Sequence, residues 1–387
     1  MAERIEFFPL HSTTDSDLQQ LGQCLWGWRL CDHCPGKPAC SNAQCFWGRA
    51  KRQAACWTRY KTLTATYVPE LFTPRPALRS HGDLLDLIQL IQSQPHSTRE
   101  EMIQHHFVGQ RIGDAEAPAT IDQHRAMDLA ASILFLVDCG NTCERANLLE
   151  EGSSSLPWRD GVSAHDFLVE AFPKRPNPSI ISGKERVEWP VVTAAVSANE
   201  LRRVLELRLE ATTDLRSHLL LDRERGVLKV FHCTAMLKET LLVSRSQPTA
   251  CMLPRQLILE VFDTIHNVLF PSDSESQALL SSLVAKHGFD EDLMRFESWD
   301  HYGHNDTILS YPYFGNRLAE LYEELQNPKP RTRLESWFER KSGARYMLMA
   351  TMIGVFIAVL IGILGLGISG FQAYVSYQQW KHPVKDA

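Results

Sequence analysis

The sequence predicts a mainly α-helical soluble body with a small β-hairpin, followed by one C-terminal transmembrane helix. Three observations predict it. Residues Tyr346 to Trp380 form a run of 35 without a charged side chain. Upstream, apolar residues recur at helical spacing behind capping motifs. One stretch, Leu219 to Phe231, instead reads as two apolar segments about a polar turn.

The apolar run is the strongest signal. Its core, Met347 to Gly370, is 24 residues of almost wholly apolar or small type. At about 1.5 Å rise per residue it is long enough to cross a hydrocarbon layer of ~30 Å. Only a helix satisfies its own backbone there. Six basic residues precede it (Lys329, Arg331, Arg333, Arg340, Lys341, Arg345), and two follow it (Lys381, Lys385). The positive flank faces the cytoplasm, which places the N-terminal body in the cytosol at an intracellular membrane. The front of the chain carries no run of signal-peptide length. Insertion late in synthesis, as in a tail-anchored protein, is therefore expected.

Within the run, small residues fall on one helical ridge: Ala350, Gly354, Ala358, Gly362, then Gly365 and Ser369. Such a ridge lets two membrane helices approach closely, so a helix–helix partner or a homodimer is expected. Gly365-Leu-Gly367-Ile-Ser-Gly370 matches the dinucleotide pattern G-x-G-x-x-G in letters only. That fingerprint needs a strand before it and a helix after it, and here it lies inside an apolar helix.

Capping signals order the body. Ser80 to Gln92 carries Leu84, Leu85, Leu87, Ile88 and Ile91 on a helical pattern. Ser97-Thr-Arg-Glu100, Thr120-Ile-Asp-Gln123 and Ser197-Ala-Asn-Glu200 read as capping boxes, the second opening a run to about Val137. Ser163 caps a helix with Phe167, Leu168 and Phe172. Leu219 to Leu221, the turn Asp222 to Gly226, and Val227 to Phe231 form the hairpin. Later helices run from Pro254 to Leu269, from Ser274 to His287 before Gly288, and from about Asn316 to Gln326.

The domain organisation follows. Residues 1–70 are a Cys/Trp-rich basic segment, 71–328 an acidic helical body with a possible division near 150–180, 329–345 a basic stalk, 346–370 the transmembrane helix, and 371–387 a short interfacial tail. The chain of 387 residues is 44% hydrophobic and 22% charged, which excludes wholesale disorder. Net charge is −6, but the stalk holds +4 and the tail +1, so residues 1–328 carry −11. That charge opposes nucleic-acid binding. It leaves the membrane as the partner of the basic stalk.

One local constellation carries chemistry. Cys31-Asp-His-Cys34-Pro-Gly-Lys-Pro-Ala-Cys40-Ser-Asn-Ala-Gln-Cys45 has the spacing C-x2-C-x5-C-x4-C. Four thiolates on a Pro/Gly-bent loop can close a tetrahedral site, so structural zinc is the expected cofactor, with His33 a substitute ligand. Disulfides, or thiols with no joint role, are the alternatives, and a reducing cytosol disfavours the first. From His33 to Pro69 there are six basic residues and no acid, interleaved with Phe46, Trp47, Trp57 and Tyr60. Those aromatics read as core or, less simply, as a stacking surface. His301-Tyr-Gly-His304 with Asp306 is a weaker metal candidate, and Asn305-Asp-Thr307 a glycosylation sequon. G-x-S-x-G elbows, P-loops, H-E-x-x-H and kinase signatures do not occur, so no catalytic residue is assigned.

Three longer stretches carry a resemblance. These are Asp214 to Glu239, Leu253 to Phe262, and Tyr313 to Leu325 with Glu339 to Tyr346 and the span ending at Pro383. Over residues 200–383 the chain resembles single-span membrane proteins of filamentous fungi whose activity is uncharacterised. The resemblance implies a membrane protein and brings no catalytic residues. The function expected is thus a cytosol-facing interaction or scaffold protein. The alternatives are a tethered enzyme whose site is assembled from distant residues and an N-terminal zinc-dependent binding module.

Overall fold

Helix α1 (Asp15–Trp26) shows how the local rules operate. Thr14 accepts from the Asp17 amide at 3.2 Å, and the Asp17 carboxylate accepts from Thr14 at 2.7 Å, closing a capping box. Leu18, Leu21 and Leu25 then share one buried face. Gly27 ends the helix at φ 66°, a left-handed conformation favouring glycine, and turns the chain back on itself.

The structure is a computed structural model that describes residues 8–36, 40, 42, 44–70, 75–108, 117–140, 155–182, 185–246, 251–295, 310–328 and 345–381. After α1 come α2 (Phe46–Ala50), α3 (Ala54–Ala65), α4 (His81–Ser93), α5 (Arg99–Ile103) and α6 (Thr120–Phe135). Then follow α7 (Ala164–Ala171), a hairpin of β1 (Ile180–Ser182) and β2 (Glu185–Val187), α8 (Trp189–Ala195) and α9 (Ala198–Leu205). Strands β3 (Arg208–Thr212), β4 (Leu220–Asp222) and β5 (Val227–Phe231) lead into α10 (Thr234–Ser246), α11 (Arg255–Asp263), α12 (Ser274–Lys286) and α13 (Gly315–Gln326). The last helix, α14, is Arg345–Lys381. The chain divides into two units, Met1–Gln326 and Asn327–Ala387.

The mainly helical reading holds, and so does the hairpin: β4 and β5 pair antiparallel, with Leu221 opposite Leu228. Strand β3 was not foreseen. It pairs parallel to β5, giving the order β3-β5-β4. Its five residues show no long alternation, and a parallel partner lies beyond a crossover that local pattern does not reveal. Two caps differ from the sequence reading. The box opening α5 is Thr98 with Glu101, one residue later than Ser97–Glu100. Helix α6 is capped by no side chain, and Ala119 occupies the cap. The residues that suggested a box are used elsewhere: buried Asp122 accepts from Tyr67 Oη at 2.7 Å and the Ala77 amide at 2.6 Å, while Gln123 donates to the Pro118 carbonyl.

In the first unit one buried apolar cluster runs from Leu10 to Tyr322. Helix α1 packs on α4 and α10, α6 on α3, α4 and α5, and α13 on α8 and α9. Several buried polar groups are structural. Arg99 pairs with Asp128 at 2.8 Å and with Asp160, joining α5, α6 and the approach to α7. His218 accepts from the Phe231 amide on Nδ1 and therefore carries its proton on Nε2, which donates to Thr264 at 2.8 Å. Burial, reinforced by the Arg317 charge, holds its pKa at about 3, so the ring is neutral. His105 and His106 lie on the π-helical turn after α5. His301, His304, Asn305 and Asp306 lie outside the described residues.

In the second unit, Met352–Gln378 of α14 is long and apolar enough to cross a membrane. None of that stretch is buried within the chain. The helix continues past Gly370 to Lys381, so Tyr374, Tyr377 and Trp380 belong to it.

Candidate metal centre

Gly22 and Gly27 set the chain up for the cysteine loop. After the Gly27 turn, the Trp28 amide bonds to the Gly22 carbonyl and lays the indole across Gly22. Further on, two left-handed residues, His33 (φ 54°) and Gly36 (φ 78°), fold the loop tightly. The Cys34 amide bonds to the Cys31 carbonyl at 3.2 Å and the Cys40 amide to Gly36 at 2.9 Å. The Phe46 amide then bonds to Arg29, bringing the far end of the loop back beside its beginning.

These turns converge Cys31, Cys34, Cys40 and Cys45, whose sulfurs all lie within 4.8 Å of one another. Sγ of Cys31 is 3.8 Å from that of Cys40, and Sγ of Cys34 is 3.6 Å from that of Cys45. A tetrahedron with metal–sulfur bonds of about 2.3 Å has edges of about 3.8 Å. The two measured edges fit it, and neither approaches the ~2.05 Å of a disulfide. All four residues are free thiols. His33 is not among the converging groups. Four cysteines drawn together in this way can bind a metal ion.

The centre also favours a thiolate. Burial raises the pKa of Cys45, but amide donors from Cys31, at 3.4 Å, and Trp47 outweigh it and bring it down to about 7. Cys45 is the cap residue of α2, so the helix terminus stabilises negative charge there. Burial, then hydrogen bonding to the neighbouring sulfurs, pushes the Cys31 thiol up to about 12. Cys45 thus offers a ready anion, and Cys31 ionises only when a cation shares the charge.

The aromatic residues near the cysteines are core. Trp26, Trp28, Phe46 and Trp57 are buried, with Trp26 and Trp28 4.5 Å apart and Trp28 edge-on to Trp57 at 6.3 Å. Each buried ring contributes about 2–3 kcal/mol. They dock the segment on α10. Trp28 Nε1 donates to Glu239 at 3.2 Å, Arg49 pairs with the same carboxylate at 2.6 Å, and Trp26 Nε1 reaches Thr240 at 3.3 Å.

A second constellation escaped the sequence reading because its parts are far apart in the chain. A cleft of about 550 Å³ runs along α3 and is closed by Thr213, His232 and the segment from Gly288 to Arg295. No local spacing relates these residues, and only the parallel β3–β5 pair brings Thr213 and His232 side by side.

Compared with protein-family models, with curated proteins and with solved structures, the chain has no match.

Proposed function

We propose that this is a single-pass membrane protein whose cytosol-facing body serves as an interaction or scaffold module, its N-terminal segment ordered by one zinc ion. The observation that carries the reading is the sulfur tetrad, a structural rather than a catalytic arrangement. It has four protein donors and no open position, the form taken by structural zinc. Thiolate ligands and near-tetrahedral edges select zinc over harder cations. A zinc-held loop on a Trp-rich core gives a rigid surface at modest chain length, and α14 confines that surface to a membrane.

Anchorage and sidedness are tested together. Membranes washed with alkaline carbonate retain the full chain and release a form truncated before Tyr346. Protease added to sealed microsomes digests residues 1–345, as the six-to-two basic bias requires. Protection of the body, or a glycan on Asn305, contradicts the orientation.

The span packs against a second helix through its small-residue ridge. A Cβ added at Gly354, Gly362 or Gly365 meets nothing within 4 Å, so that face is open among the described residues. Ala358 and Ser369 share this exposed helix, while the Ala350 side chain lies outside the description. Replacing Gly354 and Gly362 with leucine holds two backbones apart and lowers a membrane two-hybrid signal by at least about tenfold. An unchanged signal counts against the ridge.

A further inference from the structure

The cleft along α3 contains a buried charge that no described residue neutralises. Arg59 is only 9% exposed. Its Nη1 donates to Thr213 at 3.0 Å and its Nη2 to the Ser132 carbonyl at 2.9 Å, both neutral acceptors, while Nε has no partner. Among the described residues no carboxylate forms an ion pair with it. A buried guanidinium without a counter-charge is destabilising, and an anion in the cleft relieves it.

Three further features point the same way. His232, also 9% exposed, lines the cleft, and its buried Nδ1 has no hydrogen-bond partner among the described residues. Burial lowers its pKa to about 4, so the neutral ring offers one donor and one acceptor. Buried Asp290 accepts from the Asp292 amide on one oxygen and leaves the other without a partner. The first turn of α3, Ala54 and Ala55, opens on the cleft, and no side chain caps that helix. Its free amides and dipole favour an anion.

Charge and topology agree. Lys51, Arg52, Arg59 and Arg295 line the cleft against Asp290, Glu291 and Asp292, four cations to three carboxylates, and Asp292 pairs with Lys238 at 2.8 Å. A net positive cleft on a body of −11 is a local reversal of sign. Thr213 and His232 directly follow β3 and β5, so the parallel pair places both side by side at one end of the sheet. The volume is that of a small-molecule site.

We propose that this cleft binds a small organic oxyanion, its charged group held between the α3 N-terminus and the Lys51 and Arg295 rim above Arg59, with a hydroxyl or amine of the same molecule met by His232 and Asp290. The site is independent of the cysteine tetrad and extends the body's role from scaffold to ligand-responsive protein.

The test titrates the full-length protein in nonionic detergent with inorganic phosphate and, separately, with succinate, at constant ionic strength set by sodium chloride. Calorimetry and thermal melting read the binding. One of the two anions binds saturably with a dissociation constant below about 1 mM. The double variant Lys51→Ala/Arg295→Ala, which removes two exposed cations, weakens it about tenfold, and each single variant weakens it by less. All three variants must melt in chloride as the wild type does. Phosphate alone binding identifies a phosphorylated ligand, and succinate alone a carboxylate. The proposal is overturned if neither anion binds better than chloride, or if the folded variants bind undiminished.

Discussion

Replacing Cys45 with serine lowers the stability of the protein by on the order of 4 kcal/mol, the scale reached when a structural metal is lost. The direction of the effect separates two accounts. Cys45 caps α2 from an extended conformation, and serine is a better capping residue than cysteine. The serine hydroxyl can also accept from the Cys31 amide that now bonds to Sγ. With no metal, the substitution is therefore neutral or slightly stabilising. With a metal, it removes a ligand whose thiol is already poised to ionise, and the loop from Cys31 to Cys45 loses what orders it. The loop leads directly into Phe46 and the ring cluster on α10. Urea unfolding followed by far-UV circular dichroism gives the stability, and a red shift of tryptophan emission reports Trp28 and Trp57 becoming wet. The same shift appears when a chelator is added to the unsubstituted protein and reverses on adding zinc.

Gly22→Ala destabilises by about 2 kcal/mol, through crowding rather than through helix propensity. Alanine is the better helix former by about 1 kcal/mol, so propensity alone predicts a gain. The added Cβ, however, would sit 2.7 Å from Cε3 of Trp28 and 3.2 Å from Cε2 of Phe46. Trp28 cannot withdraw freely, because its indole nitrogen is bonded to Glu239 and Arg49 lies over its ring at 5.9 Å. Gly82→Ala in α4 is the internal contrast. Its Cβ would meet only the Ser80 hydroxyl, at 3.4 Å, and that substitution is neutral or stabilising. Chemical denaturation of both variants checks the pair, and equal effects contradict the packing account.

Much of the fold was legible because its signals are local. Ser163 and Ser197 cap the helices they announced, and the apolar spacing from Leu84 to Ile91 forms the buried face of α4. The β4–β5 hairpin was readable from a polar turn between apolar segments. The cysteine tetrad was readable because its spacing is itself the site. What failed was tertiary in origin. Asp122 looked like part of a cap, but Tyr67 and Ala77 draw it into the core. Helix α3 presents Thr58 and Thr62 to a cleft and buries Arg59, so its polarity does not follow a simple apolar stripe. The cleft itself joins residues from 51 to 295, and no sequence window contains it.

Metal content tests the central claim most directly. Full-length protein purified under reducing conditions in nonionic detergent, then dialysed against metal-free buffer, is analysed for zinc by elemental mass spectrometry. The tetrad predicts about one zinc ion per chain, lost when Cys31 and Cys34 are both replaced with serine. Less than about a tenth of a zinc ion per chain, or a content unchanged by that double substitution, contradicts a zinc-ordered N-terminal segment.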